Sequence, residues 1–269
     1  MNLIETAGYI PSSFRTVPRF RLVRAGSVQE AVEALAAAER PAVLAGGTDL
    51  PARFNEGFAP TVLVDVAGTA DLHRIRIENG TLAIGAAVTH ADGAVHPLVR
   101  QHLPGFAAAW ARIANVRIRM SATLGGNIMA RRTRYEGALL LSAMAAKLQF
   151  ATPGGKIEIP VEDIWTAALP SSALLTTLLI PLRPGLKLDY DRSLRPIMTQ
   201  AVALDATGQG RMVTATEHAV PRIQNLQAAA QEGGPMPAHQ FKDPVTGDAY
   251  LNRVSRVIYE RQRVLMGAA

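Results

Sequence analysis

Two short glycine-bearing stretches hold the residues of this chain best suited to chemistry: Ala45-Gly46-Gly47-Thr48-Asp49-Leu50 and Thr123-Leu124-Gly125-Gly126-Asn127. A Gly-Gly pair presents consecutive backbone N–H groups with no side chain in the way, and each stretch adds a threonine hydroxyl and an Asp or Asn. Such donors stabilise phosphate oxygens. Either stretch alone is equally a tight turn between elements. Two in one chain are able to grip a single diphosphate from both sides, which points to a nucleotide-type cofactor.

Other chemical motifs are missing or fail on context. Gly208-Gln209-Gly210 lacks the third glycine, the helix start and the acidic residue of a Rossmann dinucleotide site. Gly155-Lys156 is followed by Ile157 inside a predicted hairpin, so it is not a Walker phosphate loop. Neither His-Glu-x-x-His nor Gly-x-Ser-x-Gly occurs, and the six histidines form no close pair. With no cysteine, the chain itself holds no disulfide, cysteine-bound iron–sulfur cluster or thiolate zinc site. No catalytic side chain and no metal ligand set is predicted.

The elements that must position the loops follow from local signals. Ser27 and Glu30 form a capping box, followed by a helix with Val28, Ala31, Val32 and Leu35 on one face. Arg40-Pro41 ends it, and the strand Ala42–Leu44 runs into the first loop; Thr61–Val66 is a second strand. Asn79-Gly80 closes a hairpin in which Ile75 and Ile77 face Leu82 and Ile84. Thr89 with Asp92 caps a short helix that ends near His96-Pro97. A helix from Pro104 to about Asn115 leads towards the second loop, and a mostly apolar helix, Glu136–Lys147, follows it. A hairpin over Pro153-Gly154-Gly155 and the strand Leu174–Ile180 come next. Arg183–Arg195, rich in Pro, Gly and charge, reads as a domain boundary. Beyond it lie a hairpin, Thr199–Asp205 with Arg211–Thr216, and helices near Pro221–Gln231 and Asp248–Met266. The mixture is α+β, divided as residues 1–68, 69–183 and 184–269. Trp110 and Trp165 read as core packing.

A formal charge of +6 raises the question of nucleic acid. The arginines are scattered and aromatics are only 5%, so no stacking platform is visible and an acidic protein partner fits better. Met1–Ser13 lacks the pattern of a signal peptide, and the apolar runs are too short for a bilayer. A soluble, cytoplasmic protein without membrane insertion is expected.

Taken in order, Val43-Leu44-Ala45-Gly46-Gly47-Thr48-Asp49-Leu50, Ile84-Gly85-Ala86-Ala87-Val88-Thr89, Ile118-Arg119, Ala122-Thr123-Leu124-Gly125-Gly126-Asn127 and Leu174–Pro181 resemble the FAD-binding medium subunit of the molybdenum hydroxylases, the group of carbon monoxide, xanthine and aldehyde dehydrogenases. The resemblance implies a two-lobed FAD-binding unit of the vanillyl-alcohol-oxidase or PCMH type, plus a C-terminal α/β domain like that of the CO dehydrogenase flavoprotein. It implies FAD held at Val43, Leu44, Ala45, Gly46, Gly47, Thr48, Asp49, Leu50, Thr123, Leu124, Gly125, Gly126 and Asn127. It adds Glu136, nine positions after Asn127 and in place of the family's usual Asp, and Leu174 or Leu175. Partners implied are a large molybdopterin-binding subunit and a small subunit with [2Fe-2S] clusters, in a dimer of heterotrimers. This chain would then pass electrons from the clusters to a terminal acceptor. Zero cysteines fits that division and argues against the 4-hydroxybenzoyl-CoA reductase branch, whose flavin subunit has a cysteine-rich insert. A free-standing FAD oxidoreductase and a flavin-free scaffold are the rival readings.

The match departs from the family at Arg131, Arg132 and Arg134, where small neutral residues and a proline are usual. These arginines either face the cofactor or a partner, or form a solvated basic loop. Lys187, Arg192 and Arg195 are alternatives for a basic residue that the family places near the flavin. Tyr190 is either a flavin neighbour or a core residue.

Overall fold

The computed structural model describes residues 17–193, 198–216, 219–226 and 248–265. The chain opens with β1 (Arg21–Arg24), α1 (Val28–Ala36), β2 (Pro41–Leu44), α2 (Leu50–Asn55) and β3 (Val62–Asp65). These strands form a parallel sheet in the order β1-β3-β2, with Val64 level with both Val23 and Val43. Ser27 caps α1, accepting from the Glu30 N–H at 3.1 Å. Glu30 reaches back one residue further than a capping box requires, to the Gly26 N–H at 2.8 Å. Ala31, Val32 and Leu35 seal α1 onto the sheet together with Val62, Val64 and Val66. β1 and α2 have no counterpart in the sequence-based expectations. Each is too short to develop a period.

Next come β4 (Ile75–Glu78), β5 (Thr81–Gly85) and the helices α3 (His90–Val95), α4 (Pro97–His102), α5 (Pro104–Trp110), α6 (Val116–Ser121), α7 (Leu124–Met129) and α8 (Glu136–Ala143). β6 (Lys147–Thr152), β7 (Gly155–Pro160) and β8 (Leu174–Pro181) complete an antiparallel sheet ordered β4-β5-β8-β6-β7. Asn79 and Gly80, at φ 48° and 72°, make the expected turn between β4 and β5. The helix predicted to reach Asn115 stops at Trp110, and the one predicted to reach Lys147 stops at Ala143. Ala145 turns left-handed at φ 57°, and β6 begins two residues later. A continuous apolar run does not distinguish helix from buried strand, so its sequence alone could not locate that reversal.

The last part contains β9 (Lys187–Arg192), β10 (Met198–Leu204), β11 (Gly210–Thr216), β12 (Arg222–Leu226) and α9 (Asp248–Leu265). They form the antiparallel order β12-β11-β10-β9. β9 lies inside the stretch read as a boundary. The helix expected at Pro221–Gln231 is instead β12 over its described part, with Ile223 opposite Val213; residues 227–231 lie outside the described residues. Pairing with the open edge of β11 outweighs the local helix signal of Pro221. α8 packs against β10 and β11, and α9 against β9 and β10. Every residue of α8 after Glu136 is buried, as a helix apolar on all sides requires. The largest core runs from Leu82 and Ile84 through α5 and α8 to Ala201, Val213 and Ala215. Among the described residues no helix is long and apolar enough to cross a membrane.

Candidate cofactor cleft

β2 delivers the chain into the first glycine stretch. Gly47 sits at φ 67°, a conformation that glycine adopts without strain. Gly46 lies so close to the segment ahead of α7 that a Cβ there would stand 2.1 Å from the Ser121 carbonyl oxygen and 2.8 Å from the Ala122 Cα. The first stretch therefore presses backbone to backbone on the residues leading into the second. The N–H groups of Gly46, Gly47 and Thr48 have no acceptor among the described residues.

The second stretch is built differently from the bare loop expected. Thr123 is the N-cap of α7 and accepts from the Gly126 N–H at 3.0 Å. The Leu124 N–H donates to the Val88 carbonyl and the Gly125 N–H to the Ala86 carbonyl, each at 3.0 Å. The Asn127 N–H closes the first helical turn on the Thr123 carbonyl at 2.9 Å. The Asn127 side chain accepts from the Gly137 N–H at 3.0 Å, clamping α8 to α7. A Cβ on Gly125 would stand 2.6 Å from the Ala86 oxygen. Here the glycines serve close packing, and their donors are already committed.

Between the two stretches lies a cleft of about 670 Å³, within the ordinary range for small-ligand sites. It gathers Val43, Ala45, Gly46, Gly47, Thr48, Asp49, Leu50, Thr123, Gly125, Gly126, Asn127, Glu136, Leu174 and Leu175 on one wall system. Leu44 and Leu124 are not on that wall, and Leu124 is fully buried in the main core. Wall residues that sequence reasoning missed are Arg53 and Phe58 at one place, His90, Ile113, Ala114 and Ile118 at another, and Thr199 from β10. Only the chain's three-dimensional path brings them in; the capping signal at Thr89 was the nearest sequence clue to His90.

Asp49 occupies the N-cap position of α2 yet makes no capping bond. Its Oδ1 accepts from the Tyr135 hydroxyl at 2.8 Å and lies 3.6 Å from the Arg132 Nε, while its Oδ2 is buried with no partner among the described residues. Arg132 also donates to both Glu56 carboxylate oxygens at 2.8 Å. Glu56, first, and Asp49 hold Arg132 above its ordinary range. Arg132 is thus a partly exposed clasp between the 131–135 segment and α2. Burial, followed by the bond to Asp49, raises Tyr135 and keeps its hydroxyl a donor.

Glu136 sits in the first turn of α8, where a carboxylate is favoured. It accepts from the Tyr190 hydroxyl at 3.3 Å and lies 3.7 Å from the Arg192 guanidinium. Burial and then Glu136 push Tyr190 well above its usual range, so it remains a neutral donor. Tyr190 is buried in the main core and does not line the cleft. Of the three basic candidates, Arg192 lines the cleft and Lys187 does not, while Arg195 lies outside the described residues.

His90 is 1% exposed, and its Nδ1 accepts from the Trp110 indole N–H at 2.7 Å. That bond leaves the ring proton on Nε2, which has no partner among the described residues. Burial first, then Arg119, lowers His90 from 6.5 to about 4. Because the unfolded chain protonates more readily, this histidine's contribution is intact above about pH 6.5 and is lost as pH falls towards about 4. The gap corresponds to about 3 kcal/mol. Urea unfolding at pH 7 and pH 4 should therefore show the wild type losing about 3 kcal/mol more than the His90→Gln variant. Parallel losses would remove His90 as the cause.

Residues 18–183 match the model of the family described as the FAD binding domain in molybdopterin dehydrogenase. The nicotine 6-hydroxylase medium subunit of Paenarthrobacter nicotinovorans is 29% identical over 174 residues, covering 63% of this chain and 62% of that protein. The carbon monoxide dehydrogenase medium chain of Hydrogenophaga pseudoflava is 32% identical over 150 residues, 55% of this chain and 52% of that one. The chain thus spans about half to three-fifths of the length of the curated relatives it matches. In fold it is similar to a chain of the copper- and molybdenum-containing CO dehydrogenase, with a TM-score of 0.80 at 23% identity, covering 94% of this chain and 100% of that one. Quinoline 2-oxidoreductase from Pseudomonas putida 86 gives a TM-score of 0.78 at 22% identity, covering 94% and 98%.

Proposed function

The chain belongs to the family of FAD binding domains in molybdopterin dehydrogenases, and from that membership we propose that it is the FAD-binding electron-transfer subunit of a heterotrimeric molybdenum hydroxylase. It takes electrons from [2Fe-2S] clusters of a small partner and delivers them to a terminal acceptor. A large molybdopterin-binding subunit oxidises the organic substrate, and two heterotrimers pair. The complex works in the cytoplasm. Residues 1–68 and 69–183 are the two FAD lobes of a PCMH-type unit, and 184–269 the C-terminal domain.

The observation that carries this reading is the contact of Gly46 with Ser121 and Ala122, which opposes the two glycine stretches across one cleft. The residues present fit FAD. The N–H groups of Gly46, Gly47 and Thr48, without an acceptor among the described residues, suit phosphate oxygens. The buried Oδ2 of Asp49, without a partner among the described residues, suits a sugar hydroxyl donor. Ile113, Ile118, Leu174 and Leu175 offer apolar surface for a flat ring. When bound, FAD supplies the capacity to take up electrons and release them in pairs. The chain's own residues hold and shield it, and none is required as a general acid or base.

The test is the absorption spectrum of the purified chain, with chromatography of the nucleotide released by acid. Flavin bands and released FAD are expected, and a colourless protein that takes up no added FAD would end this reading. Molybdenum and iron should co-purify with the tagged chain expressed alongside its natural neighbours. A flavin-loaded chain that brings down neither metal is a free-standing oxidoreductase instead.

A further inference from the structure

If the cleft holds FAD as proposed above, a diphosphate must be neutralised there, and most charges on its wall are already engaged. Asp49 faces Arg132, and Glu136 faces Arg192. Arg53 lies over the Phe58 ring, 4.1 Å from its centroid. Arg134 has an interaction of its own. The second glycine stretch has committed the N–H groups of Leu124, Gly125, Gly126 and Asn127 to its own fold. Of that stretch only the Thr123 N–H has no acceptor among the described residues, so main-chain donors from that side are few.

Arg131 is different. It lines the cleft, is exposed, and has no acidic or hydrogen-bonding side-chain partner among the described residues. Its backbone is left-handed at φ 51°, just after the C-cap Ala130 of α7, a position where glycine is the ordinary occupant. Arginine suits that conformation less well than glycine, and within the described residues only its backbone is held, the N–H donating to the Ile128 carbonyl at 3.0 Å. Asn79, by contrast, sits in a tight turn that favours its conformation. Ala114, at φ 52°, is left-handed on the same wall but carries no charge, so the cation of Arg131 is what sets it apart.

We infer that Arg131 is the cationic half of the diphosphate site, setting its guanidinium against phosphate oxygens on the side where the second glycine stretch has committed most of its own N–H groups. A guanidinium suits this because its planar fork donates to two oxygens at once and stays charged at every working pH. The free N–H groups of Gly46 to Thr48 then serve the other side of the same diphosphate.

The experiment is titration of the flavin-free full chain with FAD and, separately, with riboflavin, which has the ring but no phosphate. Arg131→Ala should weaken FAD binding about tenfold, more at low salt than at high, and leave riboflavin affinity unchanged. Arg131→Gly should lose the same FAD affinity while raising the melting temperature of the flavin-free protein, since it removes the strain and the charge together. That variant also keeps the test valid if Arg131→Ala folds poorly. FAD binding by both variants at wild-type strength would overturn the assignment, as would equal losses for FAD and riboflavin. A wild-type chain that binds neither flavin would instead sink the cofactor reading on which the assignment stands.

Discussion

Gly46→Ala should leave a protein that no longer retains FAD. The added Cβ would stand 2.1 Å from the Ser121 oxygen and 2.8 Å from the Ala122 Cα, both backbone atoms that no rotamer change can move aside. The two glycine segments must separate, and the N–H groups of Gly46 to Thr48 move with them. Overpacking of this kind costs about 1–3 kcal/mol, and contact with backbone rather than side chain puts it at the upper end. Gly68→Ala is the matched control, because nothing lies within 4 Å of a Cβ at that position. The measurement is flavin content after purification together with the urea midpoint. Gly46→Ala holding FAD as tightly as Gly68→Ala would mean that the close approach does not shape the cleft.

Trp110→Ala should cost about 3–5 kcal/mol of stability, the range for removing a fully buried large aromatic. Trp110 is 0% exposed and stacks on Phe106 with ring centroids 5.1 Å apart. Gly93 lies directly against the ring, where a Cβ would stand 1.9 Å from its edge. The indole N–H also satisfies His90 Nδ1. Trp110→Phe separates the two contributions, since it keeps most of the packing and removes the donor. It should lose about 1–3 kcal/mol, the cost of a buried acceptor left alone. Urea unfolding of both variants at pH 7 decides the point: a Phe variant as stable as wild type would show that the bond to His90 contributes nothing.

The features legible in the sequence are those whose cause is local. Ser27 and Thr89 announce helix starts because a hydroxyl reaches an N–H three residues on, within one turn. Asn79-Gly80 announces a hairpin because both residues accept the left-handed backbone that the turn needs. The apolar run after Glu136 announces burial on all sides, since no face of it is polar. Part of the cleft wall was legible too, because two glycine stretches and a carboxylate stand out in any sequence.

What remained hidden depends on partners distant in the chain. Arg222–Leu226 is a strand only because β11 offers it an open edge. The arginines after Asn127 looked alike in sequence; Arg132 is tied to Glu56, 76 residues away, while Arg131 stands in the cleft without such a tie. The two glycine stretches also looked alike. Which one keeps its N–H groups free was decided by the carbonyls of Ala86 and Val88, which lie opposite only the second. A hydrogen-bonding group's availability is a property of what the fold sets against it. Residue type and local spacing alone determined the kind of site this chain builds; tertiary packing decided which atoms of that site remain available to bind.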